Sequence, residues 1–423
     1  MFKSIKQIFS ARNKDVRNKI LFTLAILFIY KVGIFVRVPG TQNITSNLGF
    51  LELLNVMGGG SLRNFSIFAL GVTPYITASI IVQILQMDII PYFSNLAKEG
   101  HSGRMKLNKI TRYMGIVLAF LQGLVMSFSF LGDGATAIEY LRTSLILTAG
   151  TCFLLWLGDE ITRKGIGNGI SMLIMAGILI SIPSMLTDVF SAYVVSGTTQ
   201  EVALGITKFI LFILLYIAII VGVVFIEKSE RRLPIQYSNK TATSYKAKQT
   251  YIPFRLNSAG VMPVIFASSL ISIPSFLAAF IKNDSFSLFV NSYINYNTVT
   301  GFILYIVLII AFTYLYTFMA TGLKPKELAE NLNKQGGYIP GVRPGKETKT
   351  YISSVLSKTT FMGALFLVVI ASLPILVSNF SNLPTSVTVG GTGLLIVVGV
   401  ALETYNQIES TLSARKYERG YRR

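Results

Sequence analysis

The chain has 423 residues, 52% of them hydrophobic and only 13% charged, and its mean hydropathy is positive, which excludes an ordinary soluble protein of one or two domains. Its one cysteine, Cys152, and its one histidine, His101, exclude an intrachain disulfide and nearly exclude metal-ligand clusters and Ser/His/Asp or Cys/His catalytic sets. The formal charge of +19 falls almost wholly in alternate loops, so its distribution says more than its total. Continuous apolar runs of about 17–25 residues predict membrane-spanning helices, where barrel strands would alternate over roughly ten.

Residues 1–19 place Phe2, Ile5, Ile8 and Phe9 at helical spacing among lysines and arginines, the pattern of an amphipathic helix lying on anionic lipid. The apolar run that follows, about 20–36, is long for a cleavable signal peptide and lacks a small-residue cleavage site. Further apolar spans follow near 65–92, 110–131, 142–157, 169–187, 204–226, 259–281, 301–321, 360–379 and 388–407, which makes ten. Basic residues crowd 3–19, 98–112, 163–164, 228–255, 324–358 and 415–423, while the opposite loops carry little beyond Arg37, Arg63, Arg142 and Lys282. By the positive-inside rule the first set is cytoplasmic, which puts both termini inside, as an even span count requires. Two cytoplasmic loops, about 227–258 and 322–359, are longer than helix connections need. Charge alone suits a solvated loop near anionic lipid. The run Gly336–Gly345, GGYIPGVRPG, instead predicts a stiff turn with one arginine, Arg343, at its tip, and hence a docking surface.

The stretch Asn55–Met87 is apolar enough for a membrane but written against one smooth helix. Gly58, Gly59 and Gly60 let the backbone turn, and Gly71 and Pro74 interrupt the run after Phe65. Irregular backbone at membrane depth is tolerated only when buried in protein or lining a wet cavity, so the stretch reads as a pore or site lining. A proline-kinked helix that merely packs would explain a lone Gly/Pro pair; the triple glycine speaks against it. The pattern G-V-x-P-x-I occurs at Gly71–Ile76 and again at Gly260–Ile265, five spans later, and Gly167–Ile170 corresponds loosely to Gly390–Gly393 with the apolar run after it. Five spans per half, an odd number, means the halves run oppositely through the membrane as an inverted repeat.

Inverted repeats with broken helices serve secondary transporters as well as channels. Coupled transporters carry ionisable groups at mid-membrane, whereas here the span interiors are almost free of charge; Lys31 lies within the first span and Glu403 late in the last, and both can snorkel or pair near an end. An intramembrane enzyme needs paired acids or an activated hydroxyl, and the adjacent Asp159 and Glu160 read as boundary residues. A channel remains.

The stretches MGGGSLRNFSIFALGVTPYITASIIVQIL, KEGHSGRMKLNKITRY, WLGDEITRKGIGNGIS, NSAGVMPVIFASS, NLNKQGGYIPGVRPGKET and GGTGLLIVVGV carry a resemblance to the SecY family, the central subunits of the bacterial protein-conducting channel. It implies an all-α integral membrane fold of ten helices in two inverted halves, 20–187 and 188–407, around an hourglass pore, with 408–423 as a basic cytoplasmic tail. The family's pore ring falls on Val72, Ile76, Ile170, Ile174, Ile265 and Ile396. All six are β-branched and stiff at the first torsion, suited to a constriction that dewets. The plug falls on 55–64, with Asn55, Gly58, Gly59, Gly60, Ser61, Arg63 and Asn64. A lateral gate between the second and seventh spans places Thr77, Ser79 and Gln83 opposite Ser268 and Ser269, polar contacts worth roughly 0.6–2 kcal/mol each, suited to a seam that opens.

The resemblance further implies docking of the SecA ATPase or a ribosome on Arg231, Arg232, Lys246 and Lys248 of the first long loop and Tyr338, Pro340, Gly341, Arg343 and Pro344 of the second. Small SecE-like and SecG-like subunits, signal sequences and unfolded secretory polypeptides complete the expected partners, in the bacterial cytoplasmic membrane. No Walker-type nucleotide loop is present, so no cofactor is expected and energy comes from the partner.

Overall fold

The computed structural model describes residues 14–41, 52–86, 90–131, 135–195, 199–237, 250–281, 284–295, 298–319, 325–381 and 385–421. In chain order its helices are α1 (Lys14–Ile34), α2 (Glu52–Met57), α3 (Thr73–Leu85), α4 (Pro91–Lys98), α5 (His101–Leu131), α6 (Ala137–Lys164) and α7 (Gly169–Phe190), which runs on into a π-turn at Ser191–Val195. They continue with α8 (Thr199–Glu227), α9 (Met262–Ile281), α10 (Asp284–Tyr293), α11 (Val299–Met319), α12 (Pro325–Lys334), α13 (Lys346–Ser381) and α14 (Thr385–Tyr421). The ten predicted spans are taken by α1, α3, α5, α6, α7, α8, α9, α11, α13 and α14. Of these, α5, α6, α7, α8, α11 and α13 are each long and apolar enough to cross a membrane, and α3 and α9 are shorter apolar helices.

The shortness of α3 and α9 follows from the repeated motif. Gly71 and Gly260 take left-handed backbone, with φ +57° and +62°, which stops any helix from running through them. Each is followed by a helix start with proline in the first turn, Pro74 and Pro263, where a missing N–H is harmless. The chain from Gly58 to Val72 is instead a succession of turns. The other suggested correspondence is not a break: Gly390–Gly393 lies inside α14. Smallness serves packing there, because a Cβ on Gly393 would sit 2.8 Å from Ile178 Cγ2 of α7.

One large apolar cluster joins α1, α2, α3, α6, α7, α8, α9, α11, α13 and α14. The membrane-facing surface is equally apolar. The most hydrophobic span, α8, buries only 22% of its apolar window, so Leu211, Leu214, Val221 and Phe225 face outward as lipid contacts.

The two long loops fold, which the sequence reading did not anticipate. Strands β1 (Glu230–Tyr237) and β2 (Thr250–Arg255) form an antiparallel hairpin, and β3 (Gly337–Tyr338) pairs with the other edge of β1, giving the order β2-β1-β3. Along β1 the period-two pattern turns Leu233 and Ile235 inward, onto Phe254, Ile339, Leu332 of α12 and Ile352 and Leu356 of α13. The membrane part is all-α; this small sheet stands outside it. Helix α13 begins at Lys346, so the stretch expected as the second loop is helical from there on, and the tail continues α14 as far as Tyr421. Of the expected amphipathic segment, residues 1–13 lie outside the described residues and 14–19 open α1.

Candidate functional site

The helix starts aim one set of side chains at a common axis. Val72 is the N-cap of α3, and its carbonyl accepts from Ile76 N at 3.1 Å, so both point from the same first turn. Asn168 caps α7, its Oδ1 accepting from Ile170 N at 3.2 Å and Ser171 N at 3.5 Å, which fixes Ile170 and, one turn on, Ile174. Ile265 sits in the first turn of α9, and Ile396 comes from within α14. Val72, Ile76, Ile174, Ile265 and Ile396 are all 4–5% exposed and belong to one cluster, with Ile170 packed against it. Four helices thus meet in a collar of β-branched side chains. Flanking it, at the end of the molecule that carries the sheet, is a cavity of about 630 Å³. Its lining is mixed: Ile76, Ile170, Ile174, Ile265 and Ile396 with Val261, Phe266 and Leu402 on the apolar side, and Ser79, Gln83, Asn168, Asn257, Asp159, Glu227 and Glu403 among the polar groups.

The segment expected as a plug packs against the same cluster. Helix α2 packs on α7 and α14, and Val56 and Met57 join the collar's own cluster. Ser181 Oγ donates to Val56 O at 3.3 Å, while Asn55 Oδ1 accepts from Arg63 N at 3.0 Å and Gly60 N donates to Asn55 O at 2.8 Å, closing the segment on itself. Gly59 and Gly60 have φ +69° and +85°, Gly58 is buried, Ser61 is buried with its hydroxyl unpartnered, and Arg63 is exposed beside the half-buried Asn64. Phe65 closes the turn in left-handed backbone, φ +44°, uncommon for a bulky side chain.

The expected seam is a contact between α3 and α9. Thr77, Ser268 and Ser269 are buried in it. The hydrogen bonds formed by Thr77, Gln83 and Ser268 stay on their own sides: Thr77 Oγ1 donates to Thr73 O at 3.2 Å, Gln83 Nε2 to Ser79 Oγ at 3.0 Å, and Ser268 Oγ to Val264 O at 2.7 Å. Ser268 also bonds Tyr305 of α11, while Ser79 and Gln83 face the cavity.

On the sheet, Arg231 and Arg232 are exposed. Arg232 Nε donates to Glu230 Oε1 at 2.8 Å and its guanidinium stacks 4.8 Å over the Tyr251 ring; that carboxylate raises the already high Arg232 pKa. Tyr338 hydroxyl donates to Gln236 Oε1 at 3.0 Å, Ile339 is buried beneath, and Val342 N donates to Ile339 O at 3.1 Å, so the turn bearing Pro340, Gly341, Arg343 and Pro344 is anchored. Thr348 Oγ1 donates to Arg343 O at 2.8 Å, which leaves the exposed Arg343 guanidinium projecting from pinned backbone. Lys246 and Lys248 lie outside the described residues.

Sequence reading missed Gly177, against which Met57 packs, and the Glu227–Asn257 pair in the cavity lining. Their roles come from contacts between distant segments, and no local pattern announces them. Asn168, between two glycines just before an apolar run, was legible as a helix cap.

Ten apolar helices packed around one buried cluster, with a cavity beside it, define a polytopic all-α membrane protein. The chain belongs to the SecY family, whose sequence model matches residues 66–405. It is 45% identical over 432 residues to the protein translocase subunit SecY of Staphylococcus carnosus, covering 99% of both chains, and 46% identical over 420 residues to that of Staphylococcus aureus strain NCTC 8325, covering 96% and 97%. Among solved structures it is similar in fold to a protein-conducting channel, at 18% identity and a TM-score of 0.65 over 93% of this chain and 92% of that one. It is likewise similar to Sec61 in a canine ribosome–channel complex from the endoplasmic reticulum, at 17% identity and a TM-score of 0.61 over 93% and 92%.

Proposed function

We propose that this chain is the channel subunit of a protein translocase in a bacterial cytoplasmic membrane, passing unfolded secretory polypeptides across it and releasing apolar segments sideways into lipid. The observation that carries the reading is the collar, in which Val72, Ile76, Ile174, Ile265 and Ile396 of four helices form one buried cluster with Val56 and Met57. An aliphatic neck excludes ions, because water is unfavourable in it and an ion crossing it would have to shed hydration. The same neck yields to a polypeptide that pushes the side chains apart, since apolar contacts have no fixed partners.

The polar groups lining the cavity would hydrate the arriving chain. The α3–α9 contact, with its polar groups bonded on their own sides, would part to admit a signal sequence. The basic, sheet-bearing end would be cytoplasmic, with both termini there, near anionic lipid. Arg231, Arg232, Tyr338, Pro340, Gly341, Arg343 and Pro344, together with Lys246 and Lys248, would receive the SecA ATPase or a ribosome, which supplies the energy. The two inverted halves, 20–187 and 188–407, would move against one another around the collar. Outward apolar faces such as that of α8 leave room for SecE-like and SecG-like subunits.

The test is electrical. Changing several of the six collar residues to serine or glycine and deleting 55–64 should give a complex that conducts ions at rest in planar bilayers, while the unaltered complex stays nearly silent. A multiple variant that assembles, translocates protein and shows no resting conductance removes these side chains from the seal.

A further inference from the structure

The cavity wall contains one buried polar linkage that neither the collar nor the docking surface uses. Asn257 is 3% exposed and lies between the end of β2 and the start of α9. Its Nδ2 donates to Glu227 Oε1, on the last residue of α8, at 2.7 Å, and to Gly260 O at 3.0 Å. Both partners are acceptors, so the amide nitrogen must face them, and the orientation of this side chain is decided by chemistry. Its Oδ1 then points the other way, buried and without a hydrogen-bond partner among the described residues.

The position matters because of what lies on either side. Upstream, Leu256 N donates to Ser229 O at 2.9 Å, and a Cβ on Gly363 of α13 would stand 2.5 Å from Leu256 O, so the foot of the hairpin is held firmly. Downstream, Gly260 is the left-handed residue before α9, a point about which that helix can swing, and α9 carries both Ile265 of the collar and Ser268 of the seam. The carboxylate makes the bond charge-assisted and therefore one of the stronger ties in the wall. The unpartnered oxygen works against it, since a buried acceptor with no donor raises the free energy of this arrangement and is relieved once water reaches it.

We propose that the Glu227–Asn257–Gly260 linkage is a latch that holds α9 in its closed position, and that it is the joint through which a push on the β1–β2 hairpin reaches the seam and the collar. The proposal rests on the channel reading above. Asn257 is thus a positioning residue, acting by setting where α9 rests.

The test uses the whole complex in planar bilayers, with Asn257→Ala, Glu227→Ala, the double variant, Glu227→Gln and the multiple collar variant side by side. A second readout is the rate of cross-linking between Ser79→Cys and Ser268→Cys in a Cys152→Ser background. Each alanine substitution should raise resting conductance by about tenfold, on the scale of one charge-assisted hydrogen bond lost, and slow the cross-link. The double variant should be no worse than Asn257→Ala, because that substitution already removes the Glu227 bond together with the one to Gly260 O. Glu227→Gln keeps an acceptor for Asn257 and should stay within about twofold of the unaltered complex on that same scale. Binding of the docking ATPase should not change, which separates the latch from general damage. If Asn257→Ala does not assemble, Glu227→Ala against Glu227→Gln decides on the same criterion. Wild-type conductance and cross-linking in the alanine variants, or additive effects in the double variant, overturn the latch. Should the collar variant conduct while those hold, the channel reading stands and only the latch fails; a silent collar variant brings down both.

Discussion

Gly177 has no room for a side chain: a Cβ built there would lie 2.1 Å from Met57 O, and Gly59 stands against the same backbone. Helix α2 therefore seats on bare backbone of α7. Gly177→Ala should force it off its seat at a cost of about 1–3 kcal/mol, the usual range for overpacking, and so raise resting ion conductance by roughly five- to a hundredfold. The complex should still assemble, since alanine suits a helix interior. Unchanged conductance would mean that α2 does not rest on α7 in the closed channel. Arg343 is the opposite case, a guanidinium exposed on pinned backbone, with nothing in the fold to lose. Arg343→Glu should leave thermal stability within about 0.5 kcal/mol, as for most surface changes. Docking of the ATPase should weaken by about 2–5 kcal/mol, the range for spoiling a hydrogen-bonded charge pair, with translocation falling in proportion. A variant translocating at the normal rate would take this arginine out of the docking surface.

At the scale of elements, α3 and α9 are twins: each starts after a left-handed glycine, carries proline in its first turn, and places a collar residue one turn from its start. The two helices pack against each other. Because Thr77, Gln83 and Ser268 bond within their own sides, parting α3 from α9, as proposed for the gate, would leave these three bonds intact. Cysteines at Ser79 and Ser268, without Cys152, should link with a short bifunctional reagent and block precursors while the complex stays assembled. Full translocation through a demonstrably linked seam would place the gate elsewhere. The twin starts were legible, because glycine and proline declare themselves in one dimension. The sheet was not, because β3 has only two residues and its partner β1 comes from another loop.

Over the whole molecule two surfaces divide the work. The middle is apolar inside and out, since lipid is as apolar as the core, and α8 with its outward Leu211, Leu214 and Val221 shows that hydropathy there reports depth in the membrane and not burial in the protein. The end with the sheet is basic and carries its own small core of Leu233, Ile235, Phe254, Ile339 and Ile352. That core holds the docking turn rigid above the cavity, and the Leu256–Asn257 foot of the hairpin joins the two. A force applied at the sheet thus has a short covalent path to α9.

By itself the sequence determined the ten spans, the broken starts of α3 and α9 and the alternation of basic loops, and its resemblance named the β-branched residues proposed for the collar. Each of these is written in local pattern: apolar length, glycine and proline, charge, and motif. Tertiary structure alone decided that 52–57 seats on Gly177, that two long loops pair into one sheet, that Gly390–Gly393 packs inside a helix, and that Asn257 ties α8 to α9. Those depend on which distant segments lie within contact distance, and a hydrogen bond between residues 227 and 257 leaves no period in the chain that would announce it.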